Sequence, residues 1–223
     1  MGAFGLFGVY TPVILKENML KTIVKISNVT NLSDARYCAG MGVEMLGFSV
    51  DEISESFVDL KKFQEIRSWI AGVQIVAETT STDAEVILEK ITSYQPDAVQ
   101  VSEASVLPWL KAETIKPIIL RVEADQDVDT VVEIMENNLQ YASYFLLESS
   151  SESALDGDWP EFLGTIASRF PILIGFGITP ENASSLSETT AITGVALRGS
   201  EELRPGFKDF GELMDVLEAL EDE

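Results

Sequence analysis

The chain has no histidine and a single cysteine, Cys38, among its 223 residues. Those two counts remove Ser-His-Asp and Cys-His nucleophile systems, HExxH zinc sites and histidine switches near neutral pH. Proton chemistry is left to carboxylates, hydroxyls and lysines. Carboxylates recur just past short apolar runs, at Asp51, Glu52, Glu78, Glu103, Glu123 and Glu148. Such a set could hold a divalent cation or a cationic ligand, since hard cations want several oxygens. A chain with 15 Lys+Arg against 37 Asp+Glu, net charge −22, also scatters acids over every solvated loop. No compact DxDxDG-type loop occurs, which favours the second account, and no metal or cofactor is expected. The same negative field repels phosphate backbones and anionic membranes, so neither nucleic acid nor membrane is an expected partner. Cys38, in ARYCAG, reads as a buried small hydrophobe, and one thiol without an internal disulfide partner fits a cytoplasmic protein.

The elements that must position these groups follow from periodicity. Eight apolar runs of five or six residues recur: 22–27, 45–50, 72–77, 97–102, 117–122, 143–148, 171–176 and 193–198. Each has the composition of a strand buried on both faces. Helical patterns lie between them. Ser33-Asp34 precedes one, Ser81-Thr82-Asp83 another, Asp125–Asp129 a third, and Thr179-Pro180 starts a fourth, all with residues that cap helix N-termini. The last is expected over Lys208–Asp215. Eight strand–helix units in about 200 residues predict an α/β fold, a single (β/α)8 TIM barrel. A doubly wound open sheet would want a GxGxxG turn, and no strand is followed by one. No linker divides the chain, so residues 19–223 read as one barrel domain. Residues 1–18 read as a short N-terminal extension: apolar, broken by glycines and Pro12, and without the basic start of a signal peptide. Trp69, Trp109 and Trp159, spaced by whole units, are each expected to pack a helix against the barrel.

In a barrel, chemistry sits at the C-terminal ends of the strands. There the segment VKISNVTNLSDARYCAGMGVEMLGF, followed by DAVQVSE, YFLLESS, ILIGFGITPENA and GVALRGSEELRPGFKD, resembles the phosphoribosylanthranilate isomerase family. The likeness spans nearly everything after Lys21, and the TPEN and PGxKD pieces are its most specific parts. It implies an Amadori rearrangement of a phosphoribosyl amine in tryptophan biosynthesis. A carboxylic acid protonates the ribose ring oxygen, the ring opens to a Schiff base, and a base removes the C2 proton.

By that resemblance the base, a Cys in the family, falls on Ser27, and the acid, an Asp in the family, falls on Glu148. Lys25 lies two residues before Ser27 on the same strand face and would assist a serine base only when neutral. The family's arginine after strand two, which holds the anthranilate carboxylate, falls in Glu55-Ser56-Phe57-Val58, where no cation stands. The family's phosphate loops fall on Gly175, Phe176 and Gly177 after strand seven, and on Leu197, Arg198, Gly199 and Ser200 after strand eight. Gly177 and Gly199 would admit a phosphate to the backbone, Arg198 would add a contact, and the alternative for Gly175 and Gly177 is a turn that needs glycine. The expected partner is a small phosphorylated metabolite. Two further functions stay open: a repurposed barrel acting on another such metabolite, and a non-catalytic binding or scaffold homologue.

Overall fold

The computed structural model describes residues 20–151, 153–199, 202–204, 207–208 and 211–221. The N-terminal extension (1–18) and Ser200 lie outside the described residues.

Eight parallel strands close into a barrel in the order β1 to β8, with β8 paired back onto β1. They are β1 (Ile23–Ser27), β2 (Met45–Ser49), β3 (Gln74–Thr79), β4 (Ala98–Val101), β5 (Ile118–Glu123), β6 (Tyr144–Glu148), β7 (Ile172–Ile174) and β8 (Gly194–Arg198). All eight expected runs are strands, and the barrel is the predicted one. The third starts and ends two residues later than the apolar run, a shift that brings Glu78 into the strand. Closure is well registered at the seam, where Ile23 through Ser27 pair in order with Gly194 through Arg198.

The helices are α1 (Leu32–Gly40), α2 (Leu60–Arg67), α3 (Ala84–Tyr94), α4 (Leu107–Glu113), α5 (Val128–Asn138), α6 (Trp159–Ile166), α7 (Pro180–Thr189) and α8 (Gly211–Ala219). A two-stranded antiparallel ribbon, β9 (Glu202–Arg204) with β10 (Phe207–Lys208), precedes α8. It occupies residues expected in part to start the last helix, which begins instead at Gly211. Asp83 and Asp127 cap α3 and α5 through their side chains, as the sequence suggests. The first helix is capped by Asn31, whose Oδ1 accepts from Asp34 N–H at 3.0 Å, so the helix starts before Ser33.

Strand alternation divides the core in two. One set of side chains, including Val24, Ile26, Phe48, Val99, Phe145 and Val195, packs under the helices. The other set (Met45, Val76, Ala98, Ile119, Leu146, Leu173 and Ala196) fills the barrel. Lys25 is fully buried in the strand whose seam partner is Ala196, and it carries a charge into this otherwise apolar interior. Trp159 stacks edge-on against Phe176 at 4.9 Å, packing α6 onto the end of β7. Trp69 and Trp109 do not repeat this: they are 64% and 46% exposed, because each falls on the solvent side of its helix or at its end. No helix among the described residues is long and apolar enough to cross a membrane.

Candidate active site

The inward positions at the C-terminal strand ends include Ser27, Ser49, Glu78, Gln100, Arg121 and Glu148, and of these six all but Arg121 are buried. Polar groups so placed must satisfy one another or a ligand, since unpaired burial costs about 1–3 kcal/mol per group. They do so in two clusters.

The first is built on β1 and β3. Lys25 Nζ donates to Ser27 Oγ at 2.6 Å and also to Glu78 Oε1 in a very short contact. The other carboxylate oxygen, Glu78 Oε2, accepts the Asn28 N–H at 3.0 Å. Asn28 adopts φ +58°, a left-handed conformation that asparagine tolerates better than most residues and that turns its amide toward the carboxylate. Gly47, between them on β2, leaves the space: a Cβ there would overlap the Glu78 carboxylate and lie 3.0 Å from Lys25 Nζ.

The second cluster joins β5 and β6. Arg121 Nε donates to Glu148 Oε2 at 2.5 Å, and its Nη2 lies 3.4 Å from Glu123 Oε2. Burial pushes the Glu123 carboxyl up, but the Ser150 hydroxyl and amide and the Arg121 guanidinium outweigh it, leaving Glu123 below the usual carboxylate range. Arg121 thus bridges two carboxylates, Glu123 and Glu148. Gly175 lets the Glu148 chain pass, since a Cβ there would approach its Cγ to 2.9 Å. Between the two clusters, Gln100 Oε1 is buried without a hydrogen-bond partner among the described residues.

The expected phosphate side lies beyond β7 and β8. Gly177 has φ +62°, and a Cβ on it would meet the Leu155 amide nitrogen at 2.5 Å, so this turn requires glycine. Asn182 ties the turn to α7, accepting from Thr179 N–H at 2.9 Å and donating to Gly177 O at 2.8 Å. Gly199 N–H donates to Ser27 O at 2.8 Å, which fastens the end of β1 to the end of β8. Arg198 is exposed, opposite Ser27 in register.

Ser27 and Glu148 stand at strand ends, where the sequence puts them, whereas the sequence reading treats Glu78 as one more surface acid. Glu78 is 5% exposed and belongs to the centre. The missed signal is Lys25 itself, since a lysine on the inward face of a buried strand must find a carboxylate. Other acids of the group are engaged locally. Asp51 accepts from Thr79 and Thr80, and Glu103 caps the turn before α4, where the Ser105 amide and hydroxyl hold its carboxyl below the usual range. No cluster of three or more His, Cys, Asp or Glu among the described residues is arranged to hold a metal ion.

The family model for N-(5′-phosphoribosyl)anthranilate (PRA) isomerase matches residues 24–219. The N-(5′-phosphoribosyl)anthranilate isomerase of Thermosynechococcus vestitus is 29% identical over 208 residues, covering 88% of this chain and 89% of that protein. That of Methanoregula boonei is 25% identical over 198 residues, covering 88% and 95%. The crystal structure of the Thermotoga maritima phosphoribosyl anthranilate isomerase superposes with a TM-score of 0.75 at 22% identity, over 89% of this chain and 98% of that one. A 3-hexulose-6-phosphate synthase structure shares the fold at a TM-score of 0.64 and 12% identity, so fold likeness alone does not select a reaction. The family match does discriminate, and it runs from β1 to α8: the chain belongs to the N-(5′-phosphoribosyl)anthranilate isomerase family.

Proposed function

We propose that the protein catalyses an Amadori rearrangement of a phosphorylated ribosylamine, with phosphoribosylanthranilate as the first substrate to try. The observation that carries this is the pair of functional groups at the ends of β1 and β6. Ser27, 3% exposed, and Glu148, 8% exposed, are held in one inward-facing ring by separate cationic partners, Lys25 and Arg121. Glu148, carrying its proton on Oε1, donates it to the ring oxygen; the C1–O bond breaks and the amine nitrogen pair closes to a Schiff base. Ser27 faces C2 and takes its proton. The electron pair of that C–H bond then forms the C1–C2 double bond of the enamine, and the nitrogen takes back its own pair. Gln100 Oε1 supplies an acceptor for a ribose hydroxyl. The β7–α7 turn at Gly177 and the β8 end at Gly199 and Arg198 are the surfaces for the phosphate.

A second reading has its own observation. Glu55, exposed in the β2–α2 connection where the family carries an arginine, repels a carboxylate on the amine portion. On that reading the barrel rearranges or binds a phosphorylated metabolite with a neutral or cationic substituent.

Turnover of phosphoribosylanthranilate by the wild-type protein, run beside Ser27→Cys, separates these. Product from wild type supports the first reading. Product from Ser27→Cys alone means that the pocket takes this substrate and the serine base does not serve it. Silence from both sends the assignment to the second reading.

A further inference from the structure

Ser27 is a poor base by itself, because an alcohol is far less acidic than the thiol it replaces and its conjugate base is scarce near neutral pH. The groups beside it change that. Lys25, with no exposed surface, has Nζ 2.6 Å from Ser27 Oγ and in very short contact with Glu78 Oε1, so one ammonium bridges the hydroxyl and the carboxylate. The three groups form a hydrogen-bonded chain that runs from Ser27 through the buried Lys25 to Glu78. Stability does not account for it. Taking a lysine and a glutamate out of water is costly, and apolar replacements of similar volume often do as well or better. The surroundings are nevertheless built around the pair: Gly47 vacates the space, and the Asn28 amide holds the far oxygen of Glu78 at 3.0 Å.

We infer that Ser27, Lys25 and Glu78 form a proton relay in which Glu78, acting through Lys25, is the acceptor that enables Ser27 to take a proton from substrate carbon. The inference rests on the rearrangement proposed above. In the step, a proton passes from Lys25 Nζ to Glu78 Oε1, the Ser27 proton passes to Nζ, and the C2 proton passes to Ser27 Oγ. The C2–H electron pair goes into the new C1–C2 bond. At the end Ser27 is again a hydroxyl, Lys25 again an ammonium and Glu78 a neutral acid. Glu78 later returns the proton to solvent while Glu148, which gave one to the ring oxygen, regains one. No oxidant or second reactant is needed. Lys25 and Glu78 are positioning residues here, since only Ser27 meets the substrate.

Two readouts test this, one of them independent of turnover. In a Ser27→Cys, Cys38→Ala background the thiol at position 27 reports Lys25 directly, through the pH dependence of its alkylation by iodoacetamide. The relay geometry predicts titration below the ~8.5 of a free thiol. Lys25→Met moves that titration to higher pH, and alkylation at pH 7 slows by roughly tenfold for each pH unit it moves. Glu78→Gln lowers it further, because the ammonium is then unopposed. Opposite movements are a signature that a packing role would not produce. In turnover of phosphoribosylanthranilate, Glu78→Gln lowers kcat by roughly a hundredfold or more with KM little changed when residue 27 is serine. It costs less than about tenfold when residue 27 is cysteine, which forms its own thiolate. A thiol titration indifferent to both substitutions, or an equal kcat loss in the two backgrounds, overturns the relay. If neither wild type nor Ser27→Cys turns over this substrate, the proposed function fails by itself. The thiol titration then decides the relay alone, by the same two outcomes.

Discussion

Replacing Lys25 with methionine deletes the ammonium facing Glu78 and leaves the side-chain volume almost unchanged. Lys25 is 0% and Glu78 5% exposed, so the carboxylate left behind cannot turn to water without rearranging the barrel mouth. Removing one partner of a buried pair typically costs about 3–5 kcal/mol. The Asn28 N–H, at 3.0 Å, still supports one oxygen, which places the expectation at the lower end, about 3 kcal/mol. With a urea slope of about 2 kcal/mol/M, the unfolding midpoint falls by roughly 1.5 M. Glu78→Gln, which leaves the ammonium with Ser27 Oγ and a neutral amide, also destabilises. The double variant Lys25→Met, Glu78→Gln returns to within about 1 kcal/mol of wild type, because no unpaired charge remains. Urea unfolding of the four proteins at pH 7 completes the cycle. A Lys25→Met protein within about 0.5 kcal/mol of wild type, the range of substitutions that matter little, would refute the reasoning. So would a double variant no more stable than the sum of the singles.

Other consequences follow from the same geometry. Glu148→Gln keeps the Arg121 contact but removes the acidic hydrogen, and steady-state kinetics should show kcat reduced by roughly a hundredfold or more, with little change in unfolding midpoint. Gly177→Ala forces a Cβ to 2.5 Å from the Leu155 amide at φ +62° and should destabilise by more than the roughly 1–2 kcal/mol of left-handed strain alone. Thermal unfolding of that variant beside Gly199→Ala, whose Cβ would come no closer than 3.3 Å to Asn28 O, tests the contrast. Asp125 accepts from the Ser149 hydroxyl at 2.7 Å, the Ser151 amide at 2.8 Å and the Ser153 hydroxyl at 3.2 Å, with Ser149 the largest influence, and its carboxyl is lowered from 3.8 to about 2. A depressed acid stabilises above its unfolded pKa, so this contribution is complete above about pH 4 and fades as pH falls toward 2. In Asp125→Asn the loop after β6 should lose that pH dependence, read as proteolytic nicking near Ser151 at about pH 5, above that window, and at about pH 2.5, within it.

The barrel was legible because its strands are buried on both faces and therefore read as unbroken apolar runs, with Asp83, Asp127 and Thr179 marking the helices that follow. The placement of Ser27 and Glu148 at strand ends was legible because each closes an apolar run. The Lys25–Glu78 contact was not, because its members lie 53 residues apart and meet only when β1 to β3 curve into the barrel. A two-residue difference in where β3 ends sufficed to read Glu78 as a loop acid instead of an inward one. Arg121 meets Glu148 only through the pairing of β5 with β6, a register that the spacing of the two runs does not specify. Trp69 and Trp109 illustrate the opposite error: large aromatic surface suggests burial, but which side of a short helix faces the barrel depends on packing that spacing alone does not specify.

The most direct measurement is the conversion of phosphoribosylanthranilate to its aminoketose product by wild type and by Ser27→Ala, at neutral pH and saturating substrate. A serine base served by Lys25 and Glu78 predicts measurable wild-type conversion that falls to background in Ser27→Ala. No conversion by wild type, or conversion that survives loss of the Ser27 hydroxyl, would contradict it.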